Sequence, residues 1–282
     1  MTQHHHHHRQ HGGPGPHGEA GMADLLDLDA EVLGTYLDEA TEWVGQHARS
    51  VPGTVVDVGA GTGSGTLALA QRFGAADLVA IDASTFMVER LQAMALENGL
   101  ADRLRVVQAD LDVAWPDVGA VDIAWAASSL HHVVDPDRVL RDLQKALNAG
   151  GLLVVLELES LPRFLPDNIG LGRPGLEARC HEALAQANWN SHPDWGPQLA
   201  QAGYELVEQR TFTAQASPTA PRAGDYAHAY LRRIRSALGD ELAADDLEVL
   251  DRLLSDDGPD ALRRRCDLTV RSSRSAWAAR RP

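Results

Sequence analysis

Cysteine is scarce in this chain. Two residues of 282, Cys180 and Cys266, lie far apart and form no CxxC pair. That offers neither a disulfide framework nor a zinc cage, and it fits a reducing, cytoplasmic setting. Apolar runs are short, and none approaches the roughly 20 residues a helix needs to cross a bilayer. Neither a membrane partner nor a signal peptide is therefore expected. Positive charge is also in deficit: 25 Lys and Arg against 40 Asp and Glu give a formal charge of −15. That balance argues against a broad electrostatic grip on nucleic acid. Hydrophobic residues at 44% and charged residues at 23% exclude a disordered chain.

What is present begins with a His-, Gly- and Pro-rich stretch holding His4 to His8, His11 and His17. It fits a purification tag or a native His-rich tail equally, and in either case would bind divalent metal weakly. Residues 1–21 are expected to be disordered, and residues 22–282 to fold as one α/β domain. From Met22 apolar residues recur at spacings of three and four through Val44, predicting a helix that Pro52-Gly53 stops. Strand-like apolar runs then alternate with helical stretches, the pattern of βαβ units on a parallel sheet. Strands are expected near 54–58, 78–81, 103–108, 121–126 and 152–158, and a cofactor-binding core at 54–160. The rhythm breaks at 161–196, a Pro- and Gly-rich segment that reads as a lid. A strand near 204–212 follows, then a helical, substrate-side segment at 213–266 and a closing strand near 268–278.

Val55-Val56-Asp57-Val58-Gly59-Ala60-Gly61-Thr62-Gly63 sets a glycine-rich turn directly after a buried strand and before a helix. Glycines there allow positive φ and let backbone amides approach a ligand closely. A carboxylate, Asp82, ends the second strand 23 residues after Gly59, where it can accept both hydroxyls of a ribose. A dinucleotide fingerprint requires GxGxxG at the turn itself, yet the sixth position from Gly59 is Ser64. Asp57, inside the strand, would repel a pyrophosphate but suits a ligand carrying a cationic ammonium and sulfonium.

On these residues the sequence resembles the class I methyltransferases, whose first motif is an acidic residue followed by GxGxG; the resemblance covers about residues 54–158. It implies a doubly wound, seven-stranded, mostly parallel Rossmann-like sheet with helical lid insertions and an antiparallel last strand, and it implies S-adenosylmethionine as cofactor. Gly59, Ala60, Gly61 and Gly63 would bend around the methionine portion. Asp57 would organise the loop and the amino end, and Asp82 would hold the ribose. Ala83 and Met87 would border the adenine; Asp110 would accept from its amino group, with Leu111 flanking the ring. Ala126 and Ala127 would lie beneath the methionyl arm.

A sulfonium methyl is already activated, so alignment and water exclusion are the main tasks, with a general base for the acceptor's proton. Ser128-Ser129-Leu130-His131-His132 follows the fourth strand at the edge where open α/β sheets bind ligands, which makes His131 and His132 candidate bases, against a purely structural role. Glu157 and Glu159 end the fifth strand and suggest polar contact with substrate or simple exposure. Arg173 is a candidate anchor for a substrate carboxylate, against an ordinary surface arginine; Tyr226, His228 and Tyr230 would line the same pocket or lie on a helix surface. No Asn-Pro-Pro-Tyr or Asp-Pro-Pro-Tyr tetrad, Pro-Cys pair or metal-spaced carboxylate cluster appears, and no metal is expected. The expected function is methyl transfer to oxygen or nitrogen of a small organic acceptor, such as a secondary metabolite. The competitors are a cofactor-binding protein of this fold with a regulatory or non-methyl role, and, further off, an NAD(P)-dependent oxidoreductase.

Overall fold

The computed structural model describes residues 16–49, 51–187, 189, 191–216, 220–239 and 241–282. The chain opens with α1 (Pro16–Leu33) and α2 (Thr35–His47), then alternates β1 (Thr54–Val58), α3 (Ser64–Arg72), β2 (Asp77–Asp82), α4 (Thr85–Glu97) and β3 (Leu104–Gln108). β4 (Val121–Ala127), a 3-10 turn (Leu130–His132), α5 (Pro136–Ala146) and β5 (Leu147–Arg163) follow. The remainder is α6 (Leu176–Gln186), α7 (Trp195–Gln201), β6 (Glu205–Ala216), α8 (Ala223–Leu238), α9 (Ala244–Leu253), a second 3-10 turn (Leu262–Arg264) and β7 (Val270–Arg280).

The strands form one sheet in the order β3-β2-β1-β4-β5-β7-β6. β1 to β5 pair in parallel, and β7 runs antiparallel to both its neighbours, β5 and β6. This is the doubly wound seven-stranded arrangement that the resemblance implied. Its central strands are apolar on both faces because helices cover both. Val56, Val58, Ile81, Ala124, Leu153 and Val155 pack toward α5 and α7, with Leu140, Leu143 and Leu199. Val55, Ala80, Ile123, Trp125, Val154 and Leu156 pack toward α2, α3 and α4, with Trp43, Leu69 and Leu91. A third cluster joins α1, α6, α8 and α9 to the ends of β5, β6 and β7 through Leu25, Leu28, Phe164, Leu184, Tyr226 and Leu250. This helical cap sits over the carboxyl edge of the sheet.

Several boundaries differ from the sequence expectation. Residues 16–21, assigned to the disordered tail, are the first turns of α1: Pro16 occupies the helix start, where its missing N–H costs nothing, and Glu19 lies in the first turn, favourable to the helix dipole. Residues 1–15, with the five consecutive histidines, lie outside the described residues. The single helix expected from Met22 is two helices parted at Gly34, where a Cβ would stand 2.3 Å from the Ala30 carbonyl oxygen. Leu161 to Arg163, placed in the lid, continue β5; residues 213–216, placed in the helical segment, continue β6. Among the described residues no helix is long and apolar enough to cross a membrane.

Candidate functional site

β1 and β2 end level, Val58 opposite Ile81, and β4 ends beside them with Asp57 opposite Trp125. Beyond β1 the chain turns through Gly59, Gly61 and Gly63 at φ of 71°, 56° and 94°, a region side chains resist. A Cβ on Gly59 would lie 2.4 Å from the Cβ of Ser129, so the bend is pressed against the loop after β4. Ser129 locks that contact by donating its hydroxyl to the Val58 carbonyl at 2.6 Å. The Gly59 and Ala60 amides both donate to the Ile81 carbonyl, and the Gly61 amide donates to Asp82 Oδ2 at 2.8 Å. The amides expected to face a ligand are thus used within the fold. What the bend presents is bare Cα surface.

Asp82 is half-buried, and its Oδ1 accepts from the Ser84 amide at 2.9 Å. Backbone amides fix both oxygens in place while each keeps acceptor capacity toward the outside. Ala83 beside it is exposed, and Met87 is buried in the first turn of α4. The Ala109 amide donates to the Asp82 carbonyl at 3.0 Å, which brings Asp110 and the half-buried Leu111 to the same edge; Asp110 itself is exposed, with Oδ1 accepting from the Asp112 amide. Ala126 departs from its expected role: it is enclosed in the core against α5, and Ala127, half-buried, reaches the rim.

Asp57 is buried under the bend, and its Oδ2 accepts the Thr66 hydroxyl at 2.6 Å. Burial pushes its pKa up to about 7, opposed by that hydrogen bond. In the neighbouring strand Trp125 Nε1 is buried with no partner among the described residues. A strand carboxylate short of counter-charge beneath a glycine bend fits a ligand that brings a cationic amino group, as S-adenosylmethionine does.

Ser128, at φ 52°, swings the chain off β4 into the 3-10 turn that carries His131 and His132. His131 Nδ1 lies 2.7 Å from Oε2 of Glu157, which is fully buried at the end of the parallel stretch of β5. The other Glu157 oxygen, Oε1, has no partner among the described residues. The two rings stand 4.0 Å apart, and His132 is exposed. Partial desolvation of the ring against its neighbours, then the charge of His131, holds the His132 pKa below the ordinary histidine value, although the residue as a whole is exposed; Glu157 and Asp82 pull the other way. Two residue types read separately in the sequence, a base and a substrate-facing carboxylate, thus form one pair. Glu157 faces the imidazole, not open solvent.

Arg173 and Tyr226 do not join this edge. Arg173 is held by Asp245 and Asp246 at 3.1 Å each, its charge already matched by carboxylates of α9. Tyr226 is buried in the cap, donating to Asp29 Oδ1 at 2.5 Å and packing edge-on against Phe164. Helix α1 also roofs the bend. Leu26 Cδ1 would be 3.2 Å from a Cβ on Gly61, Ser84 donates to Glu19 at 2.8 Å, and Asp24 and Asp27 grip Arg90. At its far end Asp29 takes a two-point bond from the buried Arg274 (2.8 and 2.9 Å), whose guanidinium lies over the Tyr36 ring. Only the acidic spacing of 24, 27 and 29 hinted at these anchors.

An acidic strand, a glycine bend and the carboxylate ending β2 thus meet at one edge of a 3-2-1-4-5-7-6 sheet of the Rossmann-like class. Residues 55–151 match the family described as a methyltransferase domain. The chain is similar to the protein named "Probable tocopherol O-methyltransferase, chloroplastic" of Oryza sativa subsp. japonica, at 30% identity over 54% of this chain and 42% of that protein. It is likewise similar to methyltransferase GfsG of Streptomyces halstedii, at 30% identity over 59% of this chain and 58% of that one. The chain thus spans about half the length of these curated relatives. A solved structure from Bacillus halodurans, titled as that of a "putative methyltransferase", shares the fold, with a TM-score of 0.53 at 18% identity, covering 86% of this chain and 98% of that one. Residues 55–151 are thus similar to a methyltransferase domain, set on a sheet of the same fold as that solved structure.

Proposed function

We propose that this protein transfers a methyl group from S-adenosylmethionine to an oxygen or nitrogen of a small organic acceptor, with His131 as general base and Glu157 as the residue that positions it. The carrying observation is the 2.7 Å pair of His131 Nδ1 and the fully buried Glu157, at the same edge as the glycine bend. Bound S-adenosylmethionine supplies a methyl on a positively charged sulfur, activated toward a nucleophile. Asp82 and the bend hold the donor's ribose and methionyl parts; Asp57 balances its cationic amino end. Glu157 keeps the His131 proton on Nδ1, which leaves Nε2 to accept the acceptor's proton as its lone pair attacks. The buried carboxylate then stabilises the imidazolium that forms, a stronger effect away from water. Helix α1 closes over the bend and keeps solvent from the donor.

The test pairs calorimetric titration of S-adenosylhomocysteine with turnover against an acceptor panel. Expected are binding of the adenosyl ligand, consumption of S-adenosylmethionine, and a His131→Ala variant that binds the ligand as wild type does but turns over slowly. Stabilisation by NADH alone, or no binding of S-adenosylhomocysteine, would overturn the reading.

A further inference from the structure

Between α1 and α8 runs a cleft of about 810 Å³. Five arginines line it: Arg90, Arg222, Arg232, Arg233 and Arg263. Three are neutralised: Arg90 by Asp24 and Asp27, Arg222 by Glu31 and Asp225, and Arg263 by Asp225 and Asp256. Arg232 and Arg233 have no carboxylate within ion-pair distance among the described residues. On a chain with a formal charge of −15, where most arginines of this cap are matched to an acid, two unmatched guanidiniums in one cleft are out of pattern.

Arg233 is the better placed of the two. Its guanidinium stacks over the Trp189 ring, 5.3 Å from the centroid, which restrains it in a defined pose. One turn earlier on the same helix face stands Tyr230, buried, with a hydroxyl that has no partner among the described residues. Partial burial draws the Arg233 pKa below the ordinary arginine value, although the side chain as a whole is exposed. The Arg233 charge also reaches the His132 ring, next along the chain from His131.

We propose that the acceptor carries an oxyanion, a carboxylate or a phosphate, and that Arg233, stacked on Trp189 and helped by Arg232, binds it in the α1–α8 cleft and so presents the methyl-accepting atom to His131. This rests on the methyl-transfer reading and adds the acceptor's charge class to it. A planar, fully ionised fork suits an oxyanion through paired hydrogen bonds. The neutralised arginines around it shape the rim.

The test uses the full chain saturated with S-adenosylhomocysteine. Benzoate, succinate and phenyl phosphate are titrated against their neutral methyl esters, on wild type, Arg233→Ala, Arg233→Lys and Arg232→Ala. The expected result is an oxyanion that binds at least about tenfold tighter than its ester and loses about 10- to 100-fold in Arg233→Ala. Arg233→Lys should recover part of that loss, Arg232→Ala should cost less, and higher salt should weaken the acid but not the ester. The strongest-binding probe separates carboxylate from phosphate. Affinity for S-adenosylhomocysteine should stay within about twofold throughout, because Arg233 is placed on the acceptor and not on the donor. Equal binding of acid and ester by wild type, or unchanged acid binding in Arg233→Ala, overturns the proposal. Failure of S-adenosylhomocysteine to bind sinks the methyl-transfer reading instead; the same titrations without it still report on Arg233.

Discussion

The donor edge and the helical cap are built on different principles. At the donor edge the contacts mostly tie together the ends and loops of adjacent strands: glycines at positive φ, Asp82 fixing the Gly61 and Ser84 amides, Thr66 on Asp57, Ser129 on the Val58 carbonyl. The cap is held by side chains from distant parts of the chain, such as Asp29 on Arg274 and Asp246 on Arg179. A site that holds an invariant ligand can be written into a turn. A site that selects an acceptor is assembled from pieces that meet only in the folded state.

Four substitutions probe this contrast. His131→Ala, where edge and cap meet, should lower turnover by about 100- to 10,000-fold with donor affinity unchanged. Glu157→Gln should do less and displace the pH profile of kcat, because it alters the imidazole's partner and not the base itself. Equal rates for both variants and wild type would remove the pair from the chemistry. Next, Asp29→Ala should destabilise the fold by about 3–5 kcal/mol, since it leaves Arg274 buried without its counter-charge. Urea unfolding measures this, and a loss under 1 kcal/mol would show the cap to be held by packing alone. Asp82→Ala should then weaken S-adenosylhomocysteine binding by about 1–3 kcal/mol, the cost of a lost charged hydrogen bond, with a smaller effect on stability; intact affinity in calorimetry would refute the ribose role.

The smallest effect concerns Asp57. Its raised pKa, about 7, means that the folded protein holds a proton the unfolded chain has released. That contribution to stability is complete at low pH, below the ordinary aspartate range, and is lost as pH rises through about 7. A cationic ligand favours the ionised form, so donor affinity should rise between pH 6 and 8, by at most about tenfold, with release of a proton. Asp57→Asn should abolish the trend. A flat profile in wild type would show that the ligand's ammonium sits elsewhere.

The same contrast explains what could be read from the sequence. The alternation of strands and helices, the acidic strand before the bend and Asp82 were all legible because each shows in a short stretch of sequence; the doubly wound sheet with its antiparallel last strand came from the resemblance. His131 and Glu157 were legible singly, but their pairing was not: it depends on Ser128 swinging the chain toward β5. Arg173 and Tyr226 misled for one reason. Their types suit a substrate, but Asp245, Asp246 and Asp29 reach them first, from distant parts of the sequence. Arg233 went unread because an unpaired arginine is defined by what fails to meet it, and only the folded chain shows that.

β7 lies between β5 and β6 yet comes after both along the polypeptide. During synthesis β5 therefore leaves the ribosome with one flank open, and β6 has no place in the sheet until residues 270–280 emerge to fill the gap. The helix that roofs the glycine bend waits as well, because its buried counter-ion is carried on that same strand. A nascent chain can shape the bend early. It should gain a closed cleft only once residues 270–280 have emerged, and until then the open flank of β5 is where a chaperone or a neighbouring nascent chain would pair.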